Sequence, residues 1–150
     1  MTPSNNCIAL IKHYEGCKLE AYKCPANIPT IGYGSTFYES GAKVKMGDKI
    51  TQEWADELLM NVLPKFQNIV NKNIKVPLKQ NEFDALVSFC FNCGSSETLF
   101  KMINDKSPIG SITEWWRTHY IKGGGVELEG LKNRRASEAY LFEHGELNFK

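Results

Sequence analysis

The fold of this 150-residue chain is decided by residues 15–36, which read EGCKLEAYKCPANIPTIGYGST. A helical pattern over Ser4–Tyr14 leads into Glu15. Gly16 follows, and glycine commonly ends helices by taking a left-handed conformation. Glycines, prolines and alternating residues then predict short antiparallel strands from Leu19 to about Tyr38. The stretch therefore predicts a carboxyl group at a helix end that leads directly into a small sheet.

The same stretch carries three groups that are useful in hydrolysis, the carboxyl of Glu15, the thiol of Cys24 and the hydroxyl of Thr30. A helix C-terminus presents partial negative charge, and Tyr14 and Cys17 can supply apolar cover. Both effects favour the proton-bearing form of the Glu15 carboxyl. A carboxyl that keeps its proton near neutral pH is a usable general acid, so Glu15 is the candidate proton donor.

The order Glu15, Cys24 and Thr30, followed by TIGYGST, resembles the catalytic stretch of the phage-type lysozymes. These are endolysins that cleave bacterial peptidoglycan, and in them a Glu, an Asp and a Thr stand at this spacing. Residues 80–94, QNEFDALVSFCFNCG, resemble the central helix of that family, and residues 130–142, GLKNRRASEAYLF, resemble its C-terminal helix. Cys24 takes the place of the Asp, which leaves the second catalytic role open.

The resemblance implies a single α+β domain over residues 1–150, with a small sheet-bearing N-terminal lobe, a larger helical C-terminal lobe, a long joining helix and a cleft between the lobes. The implied activity is hydrolysis of the β-1,4 bond between N-acetylmuramic acid and N-acetylglucosamine, with inversion. Glu15 would be the acid, and Thr30 would hold the attacking water. Two alternatives stay open, a lytic transglycosylase that uses Glu15 alone and a wall-binding homologue without catalysis. The expected partner is the peptidoglycan glycan strand, bound by a monomer without cofactor or metal.

The composition narrows the choice of partner and compartment. Eighteen basic and seventeen acidic residues give a formal net charge of +1 without blocks of like charge, which gives no case for a nucleic-acid partner. No run approaches the roughly 18 apolar residues that a membrane helix needs. Five cysteines are an odd number at low density, which favours free thiols in a reducing compartment. The resemblance to endolysins implies that the protein accumulates in the cytoplasm of the producing cell until another factor opens the inner membrane.

The spacing of apolar residues in the rest of the chain predicts helices. Helices that follow a local sheet indicate an α+β fold. Residues 40–48 read as a solvated hairpin or loop. Thr51 caps a long apolar pattern that Pro64 interrupts, so a kink or a break is expected near residues 61–63. The further predictions are helices over 79–92, 98–104, 111 to about 122 and about 130–143, with a flexible glycine stretch at 123–125.

Four residues suggest other chemistry but are better explained by packing. Cys90 and Cys93 have Cys-x-x-Cys spacing, yet no second pair follows and the histidines lack ligand spacing, so core packing is favoured over a zinc site. Trp115 and Trp116 are predicted to supply one core ring and one rim ring, and the rim ring could stack on a sugar.

The arginine pair lies in the C-terminal stretch. Arg134 and Arg135 are adjacent on a predicted helix and therefore point in different directions, so one is expected to be solvated. The resemblance suggests that the other turns toward Glu15, which would oppose the protonation of that carboxyl. Glu20 and Glu138, the other acids in matching stretches, are interpreted as structural or surface residues.

Overall fold

A computed structural model describes residues 1–149, and it confirms the α+β class. The chain divides into two compact units, Glu15–Pro64 and a unit made of Met1–Tyr14 with the residues from Lys65 onward. The described residues form these elements in chain order: α1 (Asn5–Glu15), β1 (Lys18–Lys23), β2 (Pro29–Gly32), α2 (Gln52–Asn73), α3 (Gln80–Cys93), α4 (Glu97–Asn104), α5 (Ile109–Thr118), β3 (Lys122–Gly123), β4 (Val126–Glu127) and α6 (Glu129–His144).

The unit Glu15–Pro64 is built on the β1–β2 hairpin. The two strands are antiparallel, with Tyr22 opposite Thr30 and an irregularity in register toward Lys18. The chain reverses between them in a turn where the Asn27 N–H donates to the Cys24 carbonyl at 2.7 Å. Asn27 has a φ of +64°, a left-handed conformation that asparagine tolerates well. The predicted strand pair is confirmed.

The glycines of TIGYGST reverse the chain again after β2. Ile31 and Ser35 exchange two backbone hydrogen bonds of 2.9 Å around this turn. Gly32 and Gly34 both have positive φ values, +66° and +93°, which other residues rarely adopt. A second hairpin follows, in which Tyr38 donates to the Asp48 carboxylate at 2.7 Å. Phe37 and Lys43 form an isolated antiparallel bridge, so of the hairpin or loop expected around residues 40–48 the hairpin is observed.

The long helix α2 begins as the sequence predicts but does not break. The Thr51 hydroxyl accepts a hydrogen bond from the Trp54 N–H at 3.1 Å, the expected cap. Beyond it the helix is continuous through Pro64, so of the kink or break expected near residues 61–63 the break does not occur. Buried side chains on both sides of the proline, Leu63 and Val70 among them, favour the helix by more than the lost backbone hydrogen bond opposes it.

The helix α5 is shorter than predicted, because a small hairpin replaces its last turn. The helix ends at Thr118, and Tyr120 takes a φ of +59°, which a helix does not accommodate. Strands β3 and β4 then pair across Gly124 and Gly125, whose positive φ values suit a tight hairpin turn. The glycines at 123–125 therefore form a turn with defined strands, where the sequence suggested a flexible stretch.

The second unit contains a buried ion cluster around Glu138 that corrects the prediction for the arginines. Arg134 and Arg135 are only 3% and 0% exposed, so neither is solvated. Their Nε atoms lie 3.4 and 3.1 Å from the Glu138 carboxylate. Ser88 and Trp116 also donate to that carboxylate, at 2.7 and 3.2 Å. The expectation of one surface arginine is wrong, whereas the structural reading of Glu138 is confirmed.

The remaining packing predictions concern the cysteine and tryptophan pairs. Cys90 is fully buried, as a core residue should be, while Cys93 is half-buried and touches the Arg135 guanidinium. Trp116 is fully buried, and Trp115 lies at the rim, where its ring stacks on His119 at 4.2 Å. One core ring and one rim ring were expected, and both are confirmed.

Candidate active site

The proposed acid, Glu15, lies where the sequence predicts it, on the last residue of α1. Gly16 follows with a φ of +67°, the left-handed stop expected of it. The carboxyl is partly exposed and lies against the glycine turn of TIGYGST, since a β-carbon at Gly34 would come 3.4 Å from Oε1 of Glu15. The Glu15 carboxyl is therefore next to the glycine turn.

The other two predicted site residues, Cys24 and Thr30, meet at the end of the β1–β2 hairpin. The Cys24 N–H donates to the carbonyl of Ile28 at 3.1 Å, and the Thr30 hydroxyl donates to the same carbonyl at 2.9 Å. Cys24 comes two residues after Tyr22, which stands opposite Thr30, so all three side chains share one face of the hairpin. Thr30 is 4% exposed and Cys24 partly exposed.

The turn between the strands makes the Cys24 thiol more acidic. Backbone N–H groups of Ile28 and Ala26 lower its pKa most. Partial burial opposes them, but the net direction is downward. A lower pKa increases the fraction of thiolate at neutral pH, and thiolate is the form that carries negative charge and accepts a proton. The residue in the Asp position is thus better suited to act as an anion than an ordinary cysteine.

A fourth residue, Tyr22, lies on the same hairpin face as Cys24 and Thr30. Burial raises the pKa of its phenol, and the negative charges of Glu15 and Cys24 raise it further. Both charges therefore disfavour ionisation of this phenol. Tyr22 was not among the residues predicted from the sequence. The signal was its place two residues before Cys24 on a strand, which puts both side chains on one face.

The other acids in the matching stretches have different environments. Glu20 is exposed and lies 4.0 Å from the Lys49 ammonium, a surface pair. Glu138 belongs to the buried ion cluster of the other unit, where two arginines hold its carboxylate. A carboxylate held in this way is poorly suited to exchange protons with a substrate. Of these acids, Glu15 has the environment that suits a proton donor.

The comparisons with known proteins show the family of the chain. The family model described as phage lysozyme matches residues 12–138. An endolysin of Acyrthosiphon pisum secondary endosymbiont phage 1 is 39% identical over 142 residues, which cover 91% of this chain and 94% of the relative.

Two solved structures extend the likeness to the fold. An endolysin from Escherichia coli O157:H7 phage FAHEc1 superposes with a TM-score of 0.86 at 43% identity, covering 99% of this chain and 97% of that one. The muramidase domain of SpmX from Asticaccaulis excentricus gives a TM-score of 0.79 at 34% identity, over 93% and 95% of the two chains. The lysozyme-like fold and the sequence likeness both span nearly the whole protein, and the chain belongs to the phage lysozyme family of peptidoglycan-degrading enzymes.

Proposed function

We propose that this protein is a muramidase that hydrolyses the β-1,4 bond between N-acetylmuramic acid and N-acetylglucosamine, with Glu15 as general acid. The observation that carries the proposal is the position of Cys24 and Thr30 at one end of the β1–β2 hairpin, with the Glu15 carboxyl against the glycine turn that follows β2. Glycoside hydrolysis needs a proton donor for the leaving oxygen and a second group that supplies or stabilises a nucleophile. The carboxyl of Glu15 and the acidified thiol of Cys24 fit these two roles.

In the proposed reaction, the Glu15 carboxyl gives its proton to the glycosidic oxygen as the bond between that oxygen and the sugar carbon breaks. Water adds to the sugar carbon, and its proton passes to the Cys24 thiolate. The Thr30 hydroxyl already donates to the Ile28 carbonyl, so its oxygen is left to accept a hydrogen bond from this water. Inversion at the sugar carbon follows if the water attacks from the face opposite the leaving oxygen.

A similar protein supports a role at the cell wall. The SpmX domain, which is 34% identical to this chain, is itself described as a muramidase domain. Among residues 1–149, no helix combines the length and apolar character that a membrane crossing needs. The five cysteines are free thiols in the structure, which suits accumulation in the reducing cytoplasm of the producing cell before release to the wall. We infer that the protein acts there as a monomer on glycan strands.

The proposal is tested first by Glu15→Gln, because an amide cannot give a proton to the leaving oxygen. We expect this variant to fold normally and to lose lysis of permeabilised Gram-negative cells by at least about a hundredfold, the usual contribution of a general acid. Glu20→Gln is the matched control, since Glu20 is exposed in the same unit and should keep full activity. A folded Glu15→Gln protein that still lyses cells would end the glycosidase assignment.

The bond chemistry is tested by mass spectrometry of digested peptidoglycan. Hydrolysis leaves reducing muramic acid ends, whereas a lytic transglycosylase leaves anhydro ends that are lighter by one water. A wall-binding homologue leaves neither kind of end. Reducing muramic acid ends are expected here, because Cys24 supplies a second group that a single-acid transglycosylase does not need. Anhydro ends would exclude the muramidase assignment and would remove any catalytic role for the thiolate.

A further inference from the structure

Tyr22 has a partly exposed ring and a hydroxyl group to which neither the fold nor the proposed reaction assigns a role. It lies on β1 directly opposite Thr30, on the hairpin face that also carries Cys24. About a third of its surface, 36%, is exposed to solvent. Within residues 1–149 its hydroxyl makes no hydrogen bond, so this O–H is a donor that the protein itself does not use.

Another tyrosine of the same unit shows the contrast. Tyr38 donates its O–H to the Asp48 carboxylate at 2.7 Å, and Asp48 also accepts from the Lys45 N–H at 2.9 Å. The Tyr38 hydroxyl thus belongs to the internal bonding of the second hairpin and has a structural role. The Tyr22 hydroxyl has no such partner among residues 1–149, although both rings lie partly at the surface of Glu15–Pro64.

We propose that Tyr22 is a substrate-binding residue whose phenol O–H donates a hydrogen bond to an oxygen of the glycan bound between Glu15 and Cys24. This inference rests on the proposed function, because it takes that site to be where the glycan lies. The glycan is rich in acceptors, since each N-acetyl sugar carries hydroxyl, ring and amide oxygens. The partly exposed ring also offers an apolar surface to the C–H face of a sugar, which is how aromatic side chains commonly contact carbohydrates.

The ionisation of the phenol is consistent with a donor role. Burial and the neighbouring negative charges raise the pKa of Tyr22, so the hydroxyl keeps its proton at neutral pH. A neutral phenol can therefore donate at that pH. Tyr22 also shares a hairpin face with Cys24 and Thr30, so a sugar that it binds is positioned with respect to both of these residues.

The test is Tyr22→Phe, compared with Tyr38→Phe as the matched control. Removal of a hydrogen bond between neutral groups should weaken binding of the glycan roughly threefold to tenfold. We expect Tyr22→Phe to lower kcat/KM on soluble glycan strands, prepared by removing the stem peptides with an amidase, by that factor and mainly through KM. Its melting temperature should match the wild type. Tyr38→Phe should lower the melting temperature and leave kcat/KM unchanged.

Binding is also measured without turnover, by titrating the same glycan strands into Glu15→Gln and into Glu15→Gln/Tyr22→Phe. A threefold to tenfold weaker affinity of the double variant supports the proposal, whereas equal affinities overturn it. The Tyr22 proposal is also overturned if Tyr22→Phe leaves KM unchanged but shifts the acidic side of the pH–rate profile. The phenol would then act on the ionisation of Cys24 and not on the glycan. If Glu15→Gln still cleaves glycan, the muramidase proposal fails. The Tyr22 proposal is then tested separately, by comparing the affinity of Tyr22→Phe for the glycan strands with that of the wild type.

Discussion

Replacing Glu138 by glutamine should destabilise this protein more than any change of a surface carboxylate. The Glu138 carboxylate is fully buried and accepts hydrogen bonds from Ser88 at 2.7 Å and Trp116 at 3.2 Å. It is also the counter-charge for Arg134 and Arg135, whose guanidinium groups are almost inaccessible to water. An amide keeps the size and one acceptor oxygen, but it removes the negative charge that this cluster holds.

The magnitude follows from the burial of the two arginines. Breaking a buried ion pair by removing one partner costs about 3–5 kcal/mol, because an uncompensated charge stays buried. Glutamine can still accept one hydrogen bond, so we expect a loss near the lower end, about 3 kcal/mol of the free energy of unfolding. For a chain of this length each kcal/mol lowers the melting temperature by about 2–4 °C, so the expected decrease is roughly 6–12 °C.

The assay is urea unfolding followed by circular dichroism and by tryptophan fluorescence, which reports on Trp116 beside the carboxylate. Glu20→Gln is the control, because its side chain is 66% exposed and lies 4.0 Å from Lys49. An exposed pair of this kind contributes at most about 0.5–1 kcal/mol. A loss of less than about 1 kcal/mol in the free energy of unfolding of Glu138→Gln would refute this reasoning. The two buried guanidinium groups would then not need the Glu138 carboxylate as a counter-charge, and the cluster would not stabilise the fold as an ion pair.

Two further predictions concern the thiols. Cys24→Asp should keep activity and extend it to lower pH, because a carboxyl ionises about 4–5 pH units below a thiol. Cys24→Ser should abolish activity. A pH–rate profile of each variant checks these expectations, and a Cys24→Ser enzyme near the wild-type rate would exclude a thiolate role. Titration without reductant should find five thiols after denaturation. In the native protein Cys24 should react first, because its pKa is lowered. Cys7 and Cys90 should stay unreactive, because burial raises their pKa values, that of Cys90 to about 12. Fewer than five thiols after denaturation would indicate disulfides.

The features that the sequence predicted correctly depend on neighbours along the chain. Helix α1 ends at Glu15 because Gly16 follows it, and α2 begins after Thr51 because that hydroxyl caps it. The hairpin likewise follows from local turn chemistry at Asn27, between two strands of β-forming residues. These interactions span fewer than about five residues, so the order of residues is sufficient to specify them.

The errors occurred where a distant part of the chain overrides a local preference. Pro64 disfavours a helix, yet the buried faces on either side keep α2 continuous. The sequence suggested opposite environments for Arg134 and Arg135, whereas Glu138 binds both. Their spacing of four and three residues from Glu138 was a usable signal for the ion pairs, because such residues share a helix face. It could not reveal the burial, which requires the packing of α6 against α3 and α5.

For the candidate site, the sequence by itself determined the identity and spacing of Glu15, Cys24 and Thr30, and the likeness to one family that they carry. Only the folded structure showed that the charges of the acid and the thiol act on the Tyr22 phenol, and only it directed the N–H groups of the turn toward Cys24. The physical reason is that the chemistry of a side chain is set by its type, whereas its ionisation is set by charges, donors and burial around it. Those surroundings exist only once the chain has folded.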